Sequence, residues 1–228
     1  MIFNQLFDDK SSTYTYIISS GKGREALIID PVIEHTKKYI KILKDLELKL
    51  VKVIYTHINA DHISGLNYLN KQTECTRVMG EESESEVIDL RVKENEKVKI
   101  EGVELVTLYT PGHTKCSYSY LMNDRVFTGD TLLINGSGRT DFQGGSAVEQ
   151  YDSIFNKLLK LPDKTLVYPA HDYNGKKFST VESERNNNPR LQVSSPDEYI
   201  KIMNNLKLAN PKMMDIAVPA NKSMGMSY

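Results

Sequence analysis

Four of the five histidines, His57, His62, His113 and His171, fall within three short segments. These are Thr56-His57-Ile58-Asn59-Ala60-Asp61-His62, Thr110-Pro111-Gly112-His113 and Pro169-Ala170-His171-Asp172. A fourth segment, Thr128-Gly129-Asp130, adds a carboxylate. Imidazole and carboxylate without a thiolate cluster suit Zn, Fe(II) or Mn and not a structural Cys-rich zinc site. Taken singly, each residue has a plainer reading. Asp61 could cap a following helix, Gly129-Asp130 could be a turn, and a loop histidine is commonly just a hydrogen-bonding residue. His35, which opens a helical stretch with no partner motif, keeps that plain reading. For the other four segments it weakens, because all of them place a ligand-type side chain at the same end of a strand. Loops beyond strand ends are where a rigid scaffold presents reactive groups.

The strands that would do this positioning are legible as short apolar runs at Leu50–Tyr55, Glu104–Tyr109, Arg125–Thr128 and Thr165–Tyr168. Further strands are expected at Ile2–Phe7, Ser12–Ile18, Glu25–Ile29 (ending in Asp30-Pro31), Val98–Ile100 and Ser117–Met122. A helix is expected over Glu34–Leu46, where Tyr39, Ile40, Leu43 and Leu46 form an apolar stripe. Others are expected at Ile63–Leu69, opened by Asp61, at Val148–Leu159, and last at Asp197–Leu206. The acidic run Glu81–Glu86 reads as a solvated loop or helix face. Strands interleaved with fewer helices predict a mixed α/β layered architecture. At 228 residues and 39% hydrophobic content, with no repeat or low-complexity linker, residues 1–228 are expected to form one domain that needs no disulfides.

Composition excludes several classes. Lys plus Arg is 29 against 30 for Asp plus Glu, which argues against nucleic acid as a partner. Two cysteines, Cys75 and Cys116, suit a reducing compartment. The start MIFNQLFDDK has neither a basic n-region nor an apolar h-region, so no signal peptide is expected. No apolar run approaches the roughly 18 residues of a spanning helix. A cytoplasmic protein without a membrane partner is the expectation.

In order, H-x-N-x-D-H, TPGH, TGD and PAHD resemble the motif series of the metallo-β-lactamase superfamily. The resemblance implies a four-layer αβ/βα sandwich with a metal site at one edge of two facing sheets. More specific segments follow: Gly138-Arg-Thr-Asp-Phe-Gln143, Tyr168-Pro-Ala-His-Asp-Tyr173, Asn188-Pro-Arg-Leu191 and Asp215-Ile-Ala-Val-Pro-Ala-Asn221. Across nearly the whole chain this series resembles the persulfide dioxygenases.

The superfamily's dinuclear hydrolases use two histidines of the first motif, together with the TPGH histidine, for one metal. Here Asn59 replaces the second of that pair, and an amide oxygen is a poor substitute for imidazole. Persulfide dioxygenases, by resemblance, need only His57, His113 and Asp130 around one Fe(II) per chain. That facial triad leaves three positions open for persulfide and O2. Asp61, His62 and His171 would then lie outside the ligand set, where they orient water, move protons, bond the substrate or merely hold the loop. Tyr173 resembles the family's active-site hydrogen-bond donor. Cys116 reads as a small packed residue.

The implied reaction oxidises glutathione persulfide with O2 and water to sulfite and glutathione. It needs four electrons, the number O2 accepts, which agrees with the lack of a flavin or nicotinamide motif. Glutathione carries two carboxylates. Arg139 could grip one of them bidentately or could pair structurally with Asp141, and Arg190 is the next candidate clamp. Two other readings stand beside this one. A dinuclear zinc glyoxalase-II-type thioester hydrolase is opposed by Asn59 and by the short tail after Pro189. A non-catalytic persulfide or thiol sensor is opposed by the intact His57, His113 and Asp130. The resemblance also allows a homodimer.

Overall fold

Along the strand Thr13–Ser19, Tyr14, Tyr16 and Ile18 face one apolar layer and Ile17 another, and both sets are buried. The strand Glu25–Ile29 repeats the pattern, with Leu27 and Ile29 on one side and Ala26 and Ile28 on the other. Strands apolar on both faces must be covered on both, and the computed structural model, which describes residues 1–211 and 213–225, shows how.

The first half of the chain forms one sheet in sequence order: β1 (Ile2–Asp8), β2 (Thr13–Ser19), β3 (Glu25–Ile29), β4 (Lys49–Ile54), β5 (Thr76–Gly80) and β6 (Leu90–Val92). Its first three strands are antiparallel, and from β3 onward the pairing is parallel. The second sheet is β7 (Lys97–Ile100), β8 (Val103–Tyr109), β9 (Tyr118–Leu121), β10 (Arg125–Gly129), β11 (Leu166–Pro169) and β12 (Ser179–Thr180). Only β10 and β11 pair in parallel there. Between the sheets lies a core that includes Tyr16, Tyr118, Tyr120, Phe127 and Tyr168. Full burial of an apolar side chain such as Phe127 in that layer contributes about 1.5–3 kcal/mol.

Helices α1 (Thr36–Asp45) and α2 (Leu66–Thr73) cover the outer face of the first sheet through Tyr39, Leu43, Leu66 and Leu69. The second sheet is covered by α3 (Ala147–Tyr151) with the turns that continue it, by α4 (Val181–Asn187) and by α5 (Pro196–Asn204). The result is the four-layer αβ/βα sandwich. A last helix, α6 (Met214–Lys222), packs Val218 toward the first-sheet side, so the chain between α5 and α6 crosses the edge where the two sheets meet.

Several boundaries differ from the sequence reading. α2 begins at Leu66 with Gly65 at its N-cap, not near Asp61. The backbone of the preceding residues is already committed: Ile33 N–H donates to Ile63 O, Ser64 N–H to Asn221 Oδ1 and Gly65 N–H to Pro31 O. The stretch after Ser146 starts as an α-helix, widens to a π-helix over Asp152–Lys157 and tightens to a 3-10 turn over Leu158–Lys160. The helix expected to be last is followed by α6, whose internal Pro219 hides it from pattern reading. β5, β6, β12 and α4 are too short or too polar for their periodicity to register. Residues 81–86 do form a loop between β5 and β6.

Candidate metal centre

The candidate ligands are carried just past the ends of four strands, β4, β8, β10 and β11, which converge from both sheets. Backbone bonds stitch these ends together. Tyr118 N–H donates to Thr56 O (3.0 Å), Ala170 N–H to Gly129 O (2.8 Å) and Tyr14 N–H to Ala170 O (2.7 Å). Two glycines allow the close approach. Gly129 has φ 53°, and a Cβ there would lie 2.9 Å from Thr56 Oγ1. A Cβ on Gly138 would lie 2.3 Å from Asp130 O and 2.7 Å from His113 Nδ1. Only glycine tolerates both demands.

His57, His113 and Asp130, all buried, bring one donor atom each within 4.8 Å of one another. His57 Nε2 is 3.9 Å and His113 Nε2 3.7 Å from Asp130 Oδ2. With modest contraction these spacings suit a first-row metal about 2.0–2.2 Å from each nitrogen or oxygen. The far side of each ring is already assigned. Thr56 Oγ1–H donates to Asp30 Oδ2 (2.9 Å), so it accepts from His57 Nδ1–H, also at 2.9 Å. His113 Nδ1–H donates to Arg139 O (2.7 Å). Both Nε2 atoms are thereby left bare and aimed inward, the arrangement that metal-binding histidines use. Burial pulls the His57 pKa down to about 3, so the ring is neutral and has no proton to lose on binding a metal. Burial opposes ionisation of Asp130, but His171, His57 and His113 outweigh it and hold the carboxyl well below the usual range.

His171 stays outside the ligand cluster. Its Nδ1–H donates to Asp130 Oδ1 (2.7 Å), and its Nε2 lies 3.0 Å from Thr13 Oγ1. Burial lowers its pKa, yet the Asp130 charge and hydrogen bond, with Asp61 and Asp30, push it up to about 9. His62 also faces Thr13, at 3.2 Å through Nδ1, and burial draws its pKa down to about 3. Asp61 Oδ2 is 3.8 Å from His171 Nε2, and burial raises its pKa. Asn59 turns inward to the loop: its Oδ1 accepts from Asp61 N–H at 2.6 Å. Cys116 is buried and accepts from Ile58 N–H (3.4 Å), as a packed thiol would.

Three residues that hold this floor carried no functional expectation. Asp30, at the end of β3, accepts from both Thr56 N–H and Thr56 Oγ1–H. Thr13 bonds two histidines. Asn221, fully buried at the end of α6, donates to Asn59 O (2.8 Å) and His62 O (2.7 Å) and accepts from Ser64 N–H (2.7 Å). The AVPAN segment therefore clasps the loop that carries His57. Its family-specific pattern was the available signal for Asn221; Asp30-Pro31 read only as a strand end, and nothing marked Thr13.

Two adjoining cavities open beside the cluster. One, of about 280 Å³, is lined by His113, Asp130, His171, Tyr173, Arg139 and Arg190. The other, of about 590 Å³, is lined by Asp61, His62, Arg139, Tyr173 and the chain around Ala209. Together they reach the size of ordinary small-molecule pockets, roughly 300–1,000 Å³. Tyr173 stacks on His171 with ring centroids 6.1 Å apart. The Arg139 guanidinium is engaged on every side: it forks onto Asp141 with two bonds of 2.6 Å, donates to Ala209 O (2.7 Å) and lies over Phe142. Arg190 donates through Nη1 to Ser137, and no carboxylate pairs with it among the described residues. Burial lowers its pKa.

Comparison with known proteins agrees with this geometry. The family model described as "Metallo-beta-lactamase superfamily" matches residues 8–171. The mitochondrial persulfide dioxygenase ETHE1 of Mus musculus is 43% identical over 99% of this chain and 89% of its own length. The crystal structure of ETHE1 from Myxococcus xanthus superposes with a TM-score of 0.96 at 45% identity, covering 99% of this chain and all of that one. A hydroxyacylglutathione hydrolase of Dictyostelium discoideum is more distant, 34% identical over 76% of this chain and 68% of its own.

Proposed function

Because the chain belongs to the metallo-beta-lactamase superfamily and, within it, to the persulfide dioxygenase family, we propose that it is an iron(II) persulfide dioxygenase. It takes glutathione persulfide, O2 and water to glutathione, sulfite and two protons. The observation that carries this reading is the donor set. His57, His113 and Asp130 form a two-histidine, one-carboxylate group, while Asn59, which stands where the dinuclear hydrolases have a histidine ligand, and His171 are committed to other hydrogen bonds. The residues present fit iron(II), since two imidazoles and a carboxylate leave open positions. Bound there, iron would supply the centre at which persulfide sulfur and O2 meet and exchange electrons.

The chain's own residues do the rest. Arg190 offers free guanidinium N–H groups to a glutathione carboxylate within the same cavity as Asp130. Tyr173, whose phenol pKa is raised by desolvation and by the nearby Asp130, Asp61 and Asp172 carboxylates, keeps its proton and donates a hydrogen bond over the cleft. Asp61 faces the larger cavity and exchanges a proton with water there. His171 holds Asp130 Oδ1, which leaves Oδ2 directed at the cluster. Both cysteines are free, buried thiols, in keeping with a reducing compartment such as the cytoplasm.

The deciding experiment is metal analysis of anaerobically purified protein together with oxygen uptake on glutathione persulfide. About one iron per chain with O2 consumption is the expected result. Two tightly held zinc ions per chain with thioester hydrolysis would establish the hydrolase instead.

A further inference from the structure

Thr13 opens β2, in the same sheet as the β4 strand that leads to His57, and bridges to His171 from the second sheet. It is completely buried, and its hydroxyl has three partners: Ser11 Oγ at 2.7 Å, His171 Nε2 at 3.0 Å and His62 Nδ1 at 3.2 Å. The direction of these bonds follows from the far end. Ser11 Oγ–H donates to the Asp8 carboxylate at 2.5 Å, and Asp8 is held in turn by Ser11 N–H and by His35 Nε2, each at 2.8 Å. With its proton committed to Asp8, Ser11 can only accept from Thr13. The two lone pairs of Thr13 are then left for the ring N–H groups of His171 and His62, which exhausts what one hydroxyl can do.

His171 continues the chain, because its other nitrogen donates to Asp130 Oδ1. An unbroken series therefore runs from the ligand Asp130 through His171, Thr13 and Ser11 to Asp8. His62 and His171 are 3% and 0% exposed, so bulk water does not take the place of Thr13 at their rings. Two buried N–H groups would go unmatched without that hydroxyl, each a costly loss. Both rings would then turn to find other partners, and Asp130 would lose the orientation of its carboxylate.

We propose that Thr13 is a positioning residue for the reaction: its hydroxyl, polarised by Asp8 through Ser11, aims His171 and His62 and thereby sets the Asp130 carboxylate at the metal. This rests on the persulfide dioxygenase reading for its kinetic consequence, but not for its structural one.

The test compares Thr13→Ser, Thr13→Val and Ser11→Ala in four measurements: iron per chain, Tm, kcat and KM on glutathione persulfide, and the visible absorption of the Co(II)-substituted protein. Thr13→Ser, which keeps the hydroxyl, should hold kcat within about threefold and leave the Co(II) spectrum as in wild type. Thr13→Val should retain most of its iron and its KM while kcat falls about ten- to a hundredfold, the usual range for partners of ligands, and its Co(II) bands should move. Ser11→Ala should shift both in the same direction by less. A Thr13→Val enzyme with kcat within threefold and unmoved Co(II) bands overturns the proposal. So does a Thr13→Ser enzyme as impaired as Thr13→Val. Should Thr13→Val fail to fold, a wild-type kcat and spectrum in Ser11→Ala overturns it. If wild-type protein shows no persulfide oxidation, the functional reading fails, and the Co(II) bands alone decide the role of Thr13.

Discussion

At the floor of the cleft, His57, His62, His113 and His171 are at most 8% exposed, and each ring has at least one nitrogen held by a named partner. At the rim, Tyr173 is 65% exposed, and its hydroxyl has no hydrogen-bond partner among the described residues. Arg190 there has donors to spare. The floor is tied to both sheets and to α6 through Thr13, Asp30 and Asn221, whereas the chain around Ala209 that walls the rim is held to it through Arg139. A metal site needs its donors aimed before the ion arrives, and that calls for locked partners. A flexible peptide substrate is met by groups still free to bond. Changes at the floor should therefore act on metal and turnover, and changes at the rim on KM.

The largest expected effect is at the floor. His57→Ala, His113→Ala or Asp130→Ala should abolish both iron binding and O2 consumption, whereas His171→Ala should keep most of the iron. Metal analysis of the four variants checks this, and iron loss in His171→Ala equal to the others would mean that the ligand set is wrong.

At the rim, Arg190→Lys should raise KM, lowering kcat/KM roughly ten- to a hundredfold for the loss of charge-assisted bonds worth about 1.5–3 kcal/mol. Arg139→Lys should instead lower Tm or iron retention and leave KM nearly unchanged, because its guanidinium already serves Asp141 and Ala209. Steady-state kinetics beside thermal melts separate the two arginines. A KM effect confined to Arg139 would reverse their roles.

Asn59→His tests whether the floor tolerates the ligand type it lacks. Asn59 is engaged with the Asp61 backbone, so dioxygenase activity should stay within about tenfold. Complete inactivation with iron still bound would reveal a direct role for the amide.

The last expectation concerns stability and not turnover. Burial raises the Asp30 pKa from 3.8 to about 7. A folded carboxyl that binds its proton more tightly than the unfolded one loses stability as pH rises through that interval. In metal-free protein, the urea midpoint of wild type should therefore fall relative to Asp30→Asn between pH 3.8 and about 7. Parallel midpoints for the two proteins across this window would show that Asp30 is not protonated there.

How much could be read beforehand follows from how local each signal is. Histidines and Asp130 after apolar runs are properties of five to seven consecutive residues, and β4, β8, β10 and β11 were legible because burial demands apolar side chains along them. α6 was not, since Pro219 breaks the expected pattern and tertiary packing overrides it. The Arg139 alternatives likewise stayed open, because a guanidinium near an aspartate in sequence can face it or face a ligand, and only the fork onto Asp141 distinguishes them.

By itself, then, the sequence determined the ligand types, their order along the chain and the absence of a second imidazole at Asn59. Each of these is a matter of which side chain stands at which position. Which ring nitrogen is bare, which carboxylate oxygen faces the cluster, and that Thr13 and Asn221 hold the floor were decided only by the tertiary structure. The first two depend on bonds such as His113 with Arg139 O and His171 with Asp130, across 26 and 41 positions, and the last on bonds across more than a hundred, Thr13 with His171 and Asn221 with Asn59. A buried polar group takes whichever partner the packed sheets bring within about 3 Å, and no local pattern encodes that meeting.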